Sequence, residues 1–314
     1  MIDNLYDIII IGGGPAGLTA GIYAMRSNLK TLLIEEFNCG GQVLNTNEIK
    51  NYPGFEDING FDFSQKLEEQ AKKLGLEFKY ETVKDYNLTE HVKIVKTAKN
   101  QYYAKTVILC MGAKARKLGL EREDEFTGRG VSYCAVCDGL FFKDKTVAVV
   151  GGGNSALEDL AYLTNIAKKT YLINRSQKYR AVPALVQSLN NLVKNNKVIL
   201  LENSIVTKIN GDKKVTSIVV NNIINNTQQE IVVDGLFIEI GKNPATEVVK
   251  HHVATDEYGY IIGDEDLMTN ISGVFVAGDI RQKKIRQIIT ACADGAIAST
   301  SAHNFINLNE TNKK

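Results

Sequence analysis

The apolar positions of this chain repeat one pattern twice. Tyr6 to Ile11 is a short β-branched run that breaks into Gly12-Gly13-Gly14-Pro15-Ala16-Gly17 and resumes at helical spacing through Met25. A further apolar run, Thr31 to Ile34, ends in Glu35. From Val147 the order recurs: an apolar run to Val150, Gly151-Gly152-Gly153-Asn154-Ser155-Ala156, a helical pattern over Leu157 to Asn165, and a run from Thr170 to Ile173 ending at Asn174. Short β-branched runs predict buried strands, and the change to a 3.6-residue period predicts the helix that links them. Strand, glycine turn, helix and strand, used twice, predict an α/β chain with two Rossmann-like dinucleotide-binding domains of the three-layer ββα type.

The rest of the pattern orders those domains. A polar, lysine-rich β-like stretch, Leu76 to Thr106, leads into a buried strand over Thr106 to Cys110 and then Met111-Gly112-Ala113. A meander is expected over Val198 to Ile240, followed by the loop Gly241-Lys242-Asn243-Pro244. Gly273 to Asp279 reads as an apolar strand ending in Gly-Asp, and Arg286 to Asn304 as a helix of small residues. A carboxylate at such a strand end can bind a polyol such as flavin ribitol, which returns the C-terminus to the first domain. The second domain, 116–245, is then inserted into the first, 1–115 with 246–314, with candidate hinges at Ala113 to Arg116 and Gly241 to Ala245.

The two turns differ in one informative place. Gly12, Gly14 and Gly17 have the spacing that lets backbone N–H groups approach a pyrophosphate at a helix N-terminus, and Gly151, Gly153 and Ala156 repeat it. Glu35 lies 18 positions after Gly17 and can accept from ribose hydroxyls, whereas Asn174, 18 positions after Ala156, is neutral and is followed by Arg175 and Arg180. A carboxylate repels a 2′-phosphate and arginines bind one, so the first turn is expected to take a dinucleotide with an unmodified ribose and the second NADPH.

Between the turns, Ser132-Tyr133-Cys134-Ala135-Val136-Cys137-Asp138-Gly139 places two thiols and a carboxylate together. Cysteines two residues apart can close and open a small disulfide ring when an electron source is in reach. The four histidines stand at no ligand spacing from Cys134, so no metal site is expected. Cys110 and Cys292 read as small core residues, and Cys39 and the histidines are given no catalytic role. The 37 basic and 36 acidic residues leave a net charge of +1, which implies neither nucleic acid nor an anionic membrane as partner. No apolar run reaches a membrane span, and Met1 to Tyr6 carries acids where a secretory signal carries basic residues, so a cytoplasmic protein is expected.

These motifs, with Gly40-Gly41-Gln42, Asn51-Tyr52-Pro53-Gly54, Gly128-Arg129-Gly130-Val131-Ser132 and Ala277-Gly278-Asp279 before Arg286-Gln287, resemble the low-molecular-weight thioredoxin reductases over nearly the whole chain. The resemblance implies FAD in the first domain, NADPH in the second, a homodimer, and thioredoxin as electron acceptor. It assigns Cys137 to the flavin, Cys134 to attack on the thioredoxin disulfide and Asp138 to proton handling. It gives the FAD contacts to Gly12, Gly14, Pro15, Ala16, Gly17, Glu35, Gly41, Gln42, Asn51, Gly112, Gly278, Asp279, Arg286 and Gln287. The NADPH contacts fall on Gly151, Gly153, Asn154, Ser155, Ala156, Asn174, Arg175, Ser176 and Arg180. Where the family has His-Arg-Arg followed by a further Arg, this chain has Asn174-Arg175-Ser176 and then Arg180; NADPH is still expected to be preferred over NADH. Because the cysteines and the nicotinamide site share one domain and both serve one flavin, that domain is expected to rotate during turnover. Arg129, Leu140 and Phe141 are candidate contacts for thioredoxin. A dithiol oxidase would have no use for the arginines of the second turn, and a non-catalytic redox sensor would show no turnover.

Overall fold

The computed structural model describes residues 4–46 and 48–311; Met1 to Asp3, part of the acidic N-terminal stretch, lie outside them. The chain divides into two compact units, one running to Lys114 and resuming at Asn243, the other comprising Ala115–Lys242.

The first unit starts with β1 (Leu5–Ile11), α1 (Pro15–Arg26) and β2 (Thr31–Glu35), followed by α2 (Gly60–Lys73), β3 (Glu77–Tyr80), β4 (Val83–Asn87), β5 (Lys93–Thr97) and β6 (Gln101–Leu109). Its sheet runs β3-β2-β1-β6-β5-β4. β1 is the central strand, parallel to β2 on one side and β6 on the other, with Ile10 opposite both Leu33 and Ile108. Covered on both faces, it needs an unbroken apolar run rather than alternation. Ile8 and Ile10 pack under α1, while Ile9 and Ile11 face a second layer with Tyr86, Val95 and Ile261. β4 and β5 form the antiparallel extension expected of the polar stretch, whereas β3 pairs in parallel with β2.

The chain enters the second unit along β7 (Ala113–Ala115) and continues through α3 (Glu123–Phe126), β8 (Val131–Ser132), α4 (Ala135–Asp138), β9 (Thr146–Val150), α5 (Asn154–Leu163), β10 (Lys169–Asn174), α6 (Pro183–Lys194) and β11 (Val198–Glu202). β12 (Ser204–Gly211), β13 (Val215–Asn222), β14 (Gln228–Val232) and β15 (Gly235–Ile238) complete it. The parallel sheet is ordered β11-β10-β9-β15-β8, and β12-β13-β14 form a separate antiparallel sheet. Val147, Val149, Leu172 and Phe237 face α5 and α6, while Ala148, Val150, Ile173 and Leu236 face Val206, Ile218 and Ile231 of the antiparallel sheet. Helices, parallel sheet and antiparallel sheet are the three layers expected.

Two local expectations are corrected. Val198–Glu202 is not the start of the meander: it is β11, parallel to β10. A parallel neighbour requires a crossover, and α6 supplies it, with Leu185, Val186, Leu189 and Leu192 turned toward the core at helical spacing. The second glycine turn also opens its helix at Asn154 rather than Leu157, which puts Asn154 and Ser155 in the first turn.

The chain returns through β16 (Lys242–Pro244) and β17 (Val274–Val276), which lies parallel to β6, and ends in α7 (Ile288–Thr311), longer than the helix expected from the small residues. Gly295 lets α7 press against α1: a Cβ there would lie 2.1 Å from the Ala16 carbonyl oxygen. The contact brings the neighbouring Asp294 to the start of α1. No helix among the described residues is long and apolar enough to cross a membrane.

Candidate active site

The turn before α1 is built for close approach. Gly12, at φ +103°, has its α-hydrogen where a Cβ would come within 2.5 Å of the Cys110 carbonyl oxygen, and a Cβ on Gly17 would meet the Gly12 oxygen at 1.9 Å. Gly14 precedes the helix with no side-chain cap, and Pro15 opens it. The N–H groups of the first turn are therefore left for another acceptor. A Cβ on Gly14 would meet nothing within 4 Å, nor would one on Gly112. Backbone donors facing open space at a helix N-terminus fit a pyrophosphate.

Of the other residues expected at this site, Glu35, Gly41 and Gly278 lie against the turn or its helix, while Arg286 is bonded to Asp279 and Asn51 to Gln287. Glu35 Oε2 accepts from Gly13 N at 2.7 Å, and its Oε1 accepts from the Glu36 and Phe37 amides. Oε2 retains a lone pair, so the carboxylate can accept from a hydroxyl while holding its own loop. Gly40 N donates to Gly13 O at 2.8 Å, which sets Gly41 beside Gly14; Gln42 is exposed on the next residue. Gly278 abuts Ala16, and Asp279 follows it. Arg286 Nε donates to Asp279 O at 3.3 Å while its guanidinium stacks on Tyr260, and Asn51 Nδ2 donates to Gln287 Oε1 at 3.1 Å. All fourteen positions assigned to FAD lie in the first unit.

The pattern gave no sign of the ion cluster beneath this loop. Asp294, 4% exposed, accepts from Gly278 N at 3.0 Å, from Arg281 Nε at 2.9 Å and from Lys283 Nζ at 2.7 Å. One carboxylate thus holds two cations and the glycine before Asp279.

In the second unit the turn repeats with different occupants. A Cβ on Gly151 would approach the Glu239 carbonyl oxygen to 2.3 Å, while Gly153 faces open space. Asn154 Oδ1 accepts from Val182 N at 2.9 Å, and Arg180 N donates to Gly152 O at 2.7 Å, folding the loop after β10 over the turn. Ser155 is exposed in the first helical turn, and Ala156 is buried. Asn174 does not present its amide outward: it is buried against Gly152, and Nδ2 donates to the Ser176 and Lys178 carbonyls. Its role is to shape the loop that carries the arginines. Ser176 Oγ donates to Lys178 O, while Arg175 and Arg180 are exposed and enter no ion pair among the described residues.

Cys134 and Cys137 are joined as a disulfide, with Cα atoms 5.3 Å apart. Cys134 caps α4, and Cys137 N donates to its Sγ at 3.2 Å. Asp138 Oδ2 accepts from Ser132 Oγ at 2.6 Å. Burial holds the Asp138 carboxyl above the ordinary aspartate range, and the Ser132 hydroxyl pulls it partly back. An acid so poised can keep a proton nearer neutrality. Leu140, 56% exposed, and Val136, 45% exposed, form the apolar surface beside the disulfide; Arg129 is exposed as well, but Phe141 packs against the helical core. Cys39, Cys110 and Cys292 are buried thiols outside any disulfide.

The model of the pyridine nucleotide-disulphide oxidoreductases matches residues 6–295. The thioredoxin reductase of Listeria innocua is 44% identical over 305 residues, covering 97% of this chain and 95% of the relative. That of Bacillus subtilis is 43% identical over 313 residues, 99% of this chain and 98% of its own. The chain belongs to the thioredoxin reductases. A solved thioredoxin reductase from Streptococcus pyogenes, 42% identical, superposes with a TM-score of 0.91 over 97% of this chain and 99% of its own. Relatives of this family thus share nearly the whole length, from the first glycine turn into α7, and the disulfide before the second turn fits the family's redox centre.

Proposed function

We propose that the protein is an NADPH-dependent thioredoxin-disulfide reductase, which carries electrons from NADPH through FAD to the Cys134–Cys137 disulfide and on to oxidised thioredoxin. The disulfide at the start of α4, from its N-cap to its third residue and shortly before the second glycine turn, is the observation that carries the reading. FAD supplies a two-electron carrier that accepts hydride and reduces a disulfide. The first unit holds it: Gly12, Gly14, Pro15, Ala16 and Gly17 on the pyrophosphate, Glu35 on the ribose, Gly278 and Asp279 on the ribitol, with Gly41, Gln42, Asn51, Gly112, Arg286 and Gln287 around them. The second unit holds NADPH on Gly151, Gly153, Asn154, Ser155 and Ala156, with Arg175, Arg180 and Ser176 on the 2′-phosphate. Asn174 acts there by shaping the loop.

Cys137 receives electrons and Cys134 attacks the thioredoxin disulfide, as thiol–disulfide exchange requires one nucleophile and one resolving thiol. Asp138 holds the proton that a leaving thiolate takes up, with Ser132 fixing its carboxyl. The second unit turns about the linkers near 113–116 and 241–245 between the two half-reactions. Leu140, Val136 and Arg129 offer thioredoxin an apolar and basic surface. The enzyme works as a cytoplasmic homodimer.

The test is NADPH oxidation by the flavin-loaded protein with and without oxidised thioredoxin, in wild type and Cys134→Ser. Thioredoxin-dependent oxidation that disappears in the variant, while NADPH still bleaches the flavin, is the expected result. Oxidation that needs only oxygen and is unchanged in the variant would refute the assignment.

A further inference from the structure

We propose that Asp159 and Glu239 are positioning residues for the redox turn: a buried carboxyl–carboxylate pair that shares one proton, ties α4 to the nucleotide turn, and sets the charge against which the Cys134 thiolate forms. The inference deepens the function proposed above and rests on Cys134 and Cys137 being the redox pair.

The geometry links three pieces of the second unit. Asp159, on α5, accepts from Ala135 N at 3.2 Å through Oδ2, and Ala135 is the residue after Cys134 and the first of α4. The side chains of Asp159 and Glu239 are hydrogen-bonded to each other. Glu239 follows β15 directly; its N donates to Val150 O at 2.8 Å, and its carbonyl oxygen lies against Gly151. The pair therefore joins the cysteine turn, the helix that starts at the second glycine turn, and the strand end beside that turn.

Two carboxyl groups in hydrogen-bond contact must hold a proton between them, because an ionised carboxylate can only accept. Burial first, and the charge of Asp159 next, push Glu239 up to about 9; burial raises Asp159 as well. Lys242 faces both groups and favours their ionised forms, and it does not offset the burial. From α4 the pair meets a backbone amide, and Asp138 in that helix is engaged by Ser132. Holding one proton between them, the two carboxyls carry a single negative charge, and the pair gains a second as pH rises through the Glu239 value. A second negative charge next to the Ala135 amide opposes thiolate formation at Cys134. Glu239→Gln replaces the protonated acid by an amide that still donates to Asp159 and cannot ionise.

The experiment uses the full-length flavin-loaded protein, reduced with dithiothreitol and desalted without oxygen. The rate of Cys134 alkylation by iodoacetamide is followed by peptide mass spectrometry from about pH 6.5 to 10, a range that brackets thiol ionisation. Wild type and Glu239→Gln should agree within about 20% at pH 7, and the variant should be roughly 1.3- to threefold faster near pH 9.5, where about three quarters of the wild-type pairs carry the second charge. Asp159→Asn, which keeps an acceptor for Ala135 N–H and limits the pair to one charge, should lose the same alkaline retardation and serves if Glu239→Gln does not fold. Superimposed wild-type and variant profiles would overturn the shared proton. A difference as large at pH 7 as at pH 9.5 would reduce the pair to packing and overturn it too. If Cys134 stays unreactive after reduction in every form, the redox reading fails and takes this proposal with it.

Discussion

The most exacting test of the first unit is the carboxylate of Asp294. Its side chain is 6% exposed and Lys283's 7%, while Arg281 reaches partway to solvent at 22%. Arg281 meets it through two nitrogens, Nε at 2.9 Å and Nη2 at 3.1 Å. Asp294→Asn keeps the shape but leaves Lys283 as a buried cation without a counter-charge. Removing one partner of a buried ion pair costs about 3–5 kcal/mol, against a total stability of about 5–15 kcal/mol. Lys283→Met leaves the bidentate Arg281–Asp294 pair charge-balanced and removes the buried cation, so its cost should stay below about 2 kcal/mol. Asp294→Leu combined with Lys283→Met should recover much of the loss, since Arg281 alone can turn to water. The assay is urea unfolding by far-UV circular dichroism of the flavin-free protein, because the chain has no tryptophan to report by fluorescence. FAD titration of the same proteins gives the functional readout, because Asp294 also holds Gly278 N, next to Asp279. If Asp294→Asn and Lys283→Met destabilise equally, or Asp294→Asn costs under about 1 kcal/mol, the carboxylate is not compensating buried charge and the reasoning fails.

Three further outcomes follow from the sites. Arg175→Ala and Arg180→Ala should each lower kcat/KM for NADPH by about tenfold, the worth of one charge-assisted bond, and leave NADH unchanged; equal losses with both nucleotides would remove the arginines from the 2′-phosphate. Ser132→Ala removes a donor that favours the ionised Asp138, so the carboxyl should hold its proton to higher pH and the alkaline limb of thioredoxin turnover should move up by about half to one unit; an unmoved limb excludes Asp138 as the acid. Gly14→Ala adds a methyl into space bordered by no protein atom, so unfolding should be unchanged within about 0.5 kcal/mol while FAD affinity drops about tenfold or more. Gly17→Ala, whose methyl strikes the Gly12 carbonyl, should by contrast lose the fold of the turn itself, and retention of FAD by either variant at wild-type affinity would contradict the cradle.

What could be read from residues alone depended on how far apart along the chain the interacting groups lie. The glycine turns were legible because the whole device is local: a strand run, a turn that only glycine fits and a helix start lie within about a dozen residues. The redox turn was legible for the same reason, and Ser132 could have been noticed six positions before Asp138. β11 was misread because a parallel strand and an antiparallel one have the same apolar run; only the helical spacing of α6 before it, which forces a crossover, distinguishes them. Asn174 ends β10 where the apolar run stops, and its neutrality is visible in a letter, whereas a buried amide bonded to Ser176 O and Lys178 O is not. Asp159 and Glu239 carried no signal at all. One reads as a polar position in a helix and the other as a residue past a strand, and only the fold of β9 beside β15 makes them neighbours. Burying two acids together is costly unless they share a proton, so such a pair persists where the site gains something from it. Here the gain is a fixed redox turn beside the nucleotide turn, and a local charge that stays constant until pH approaches the Glu239 value.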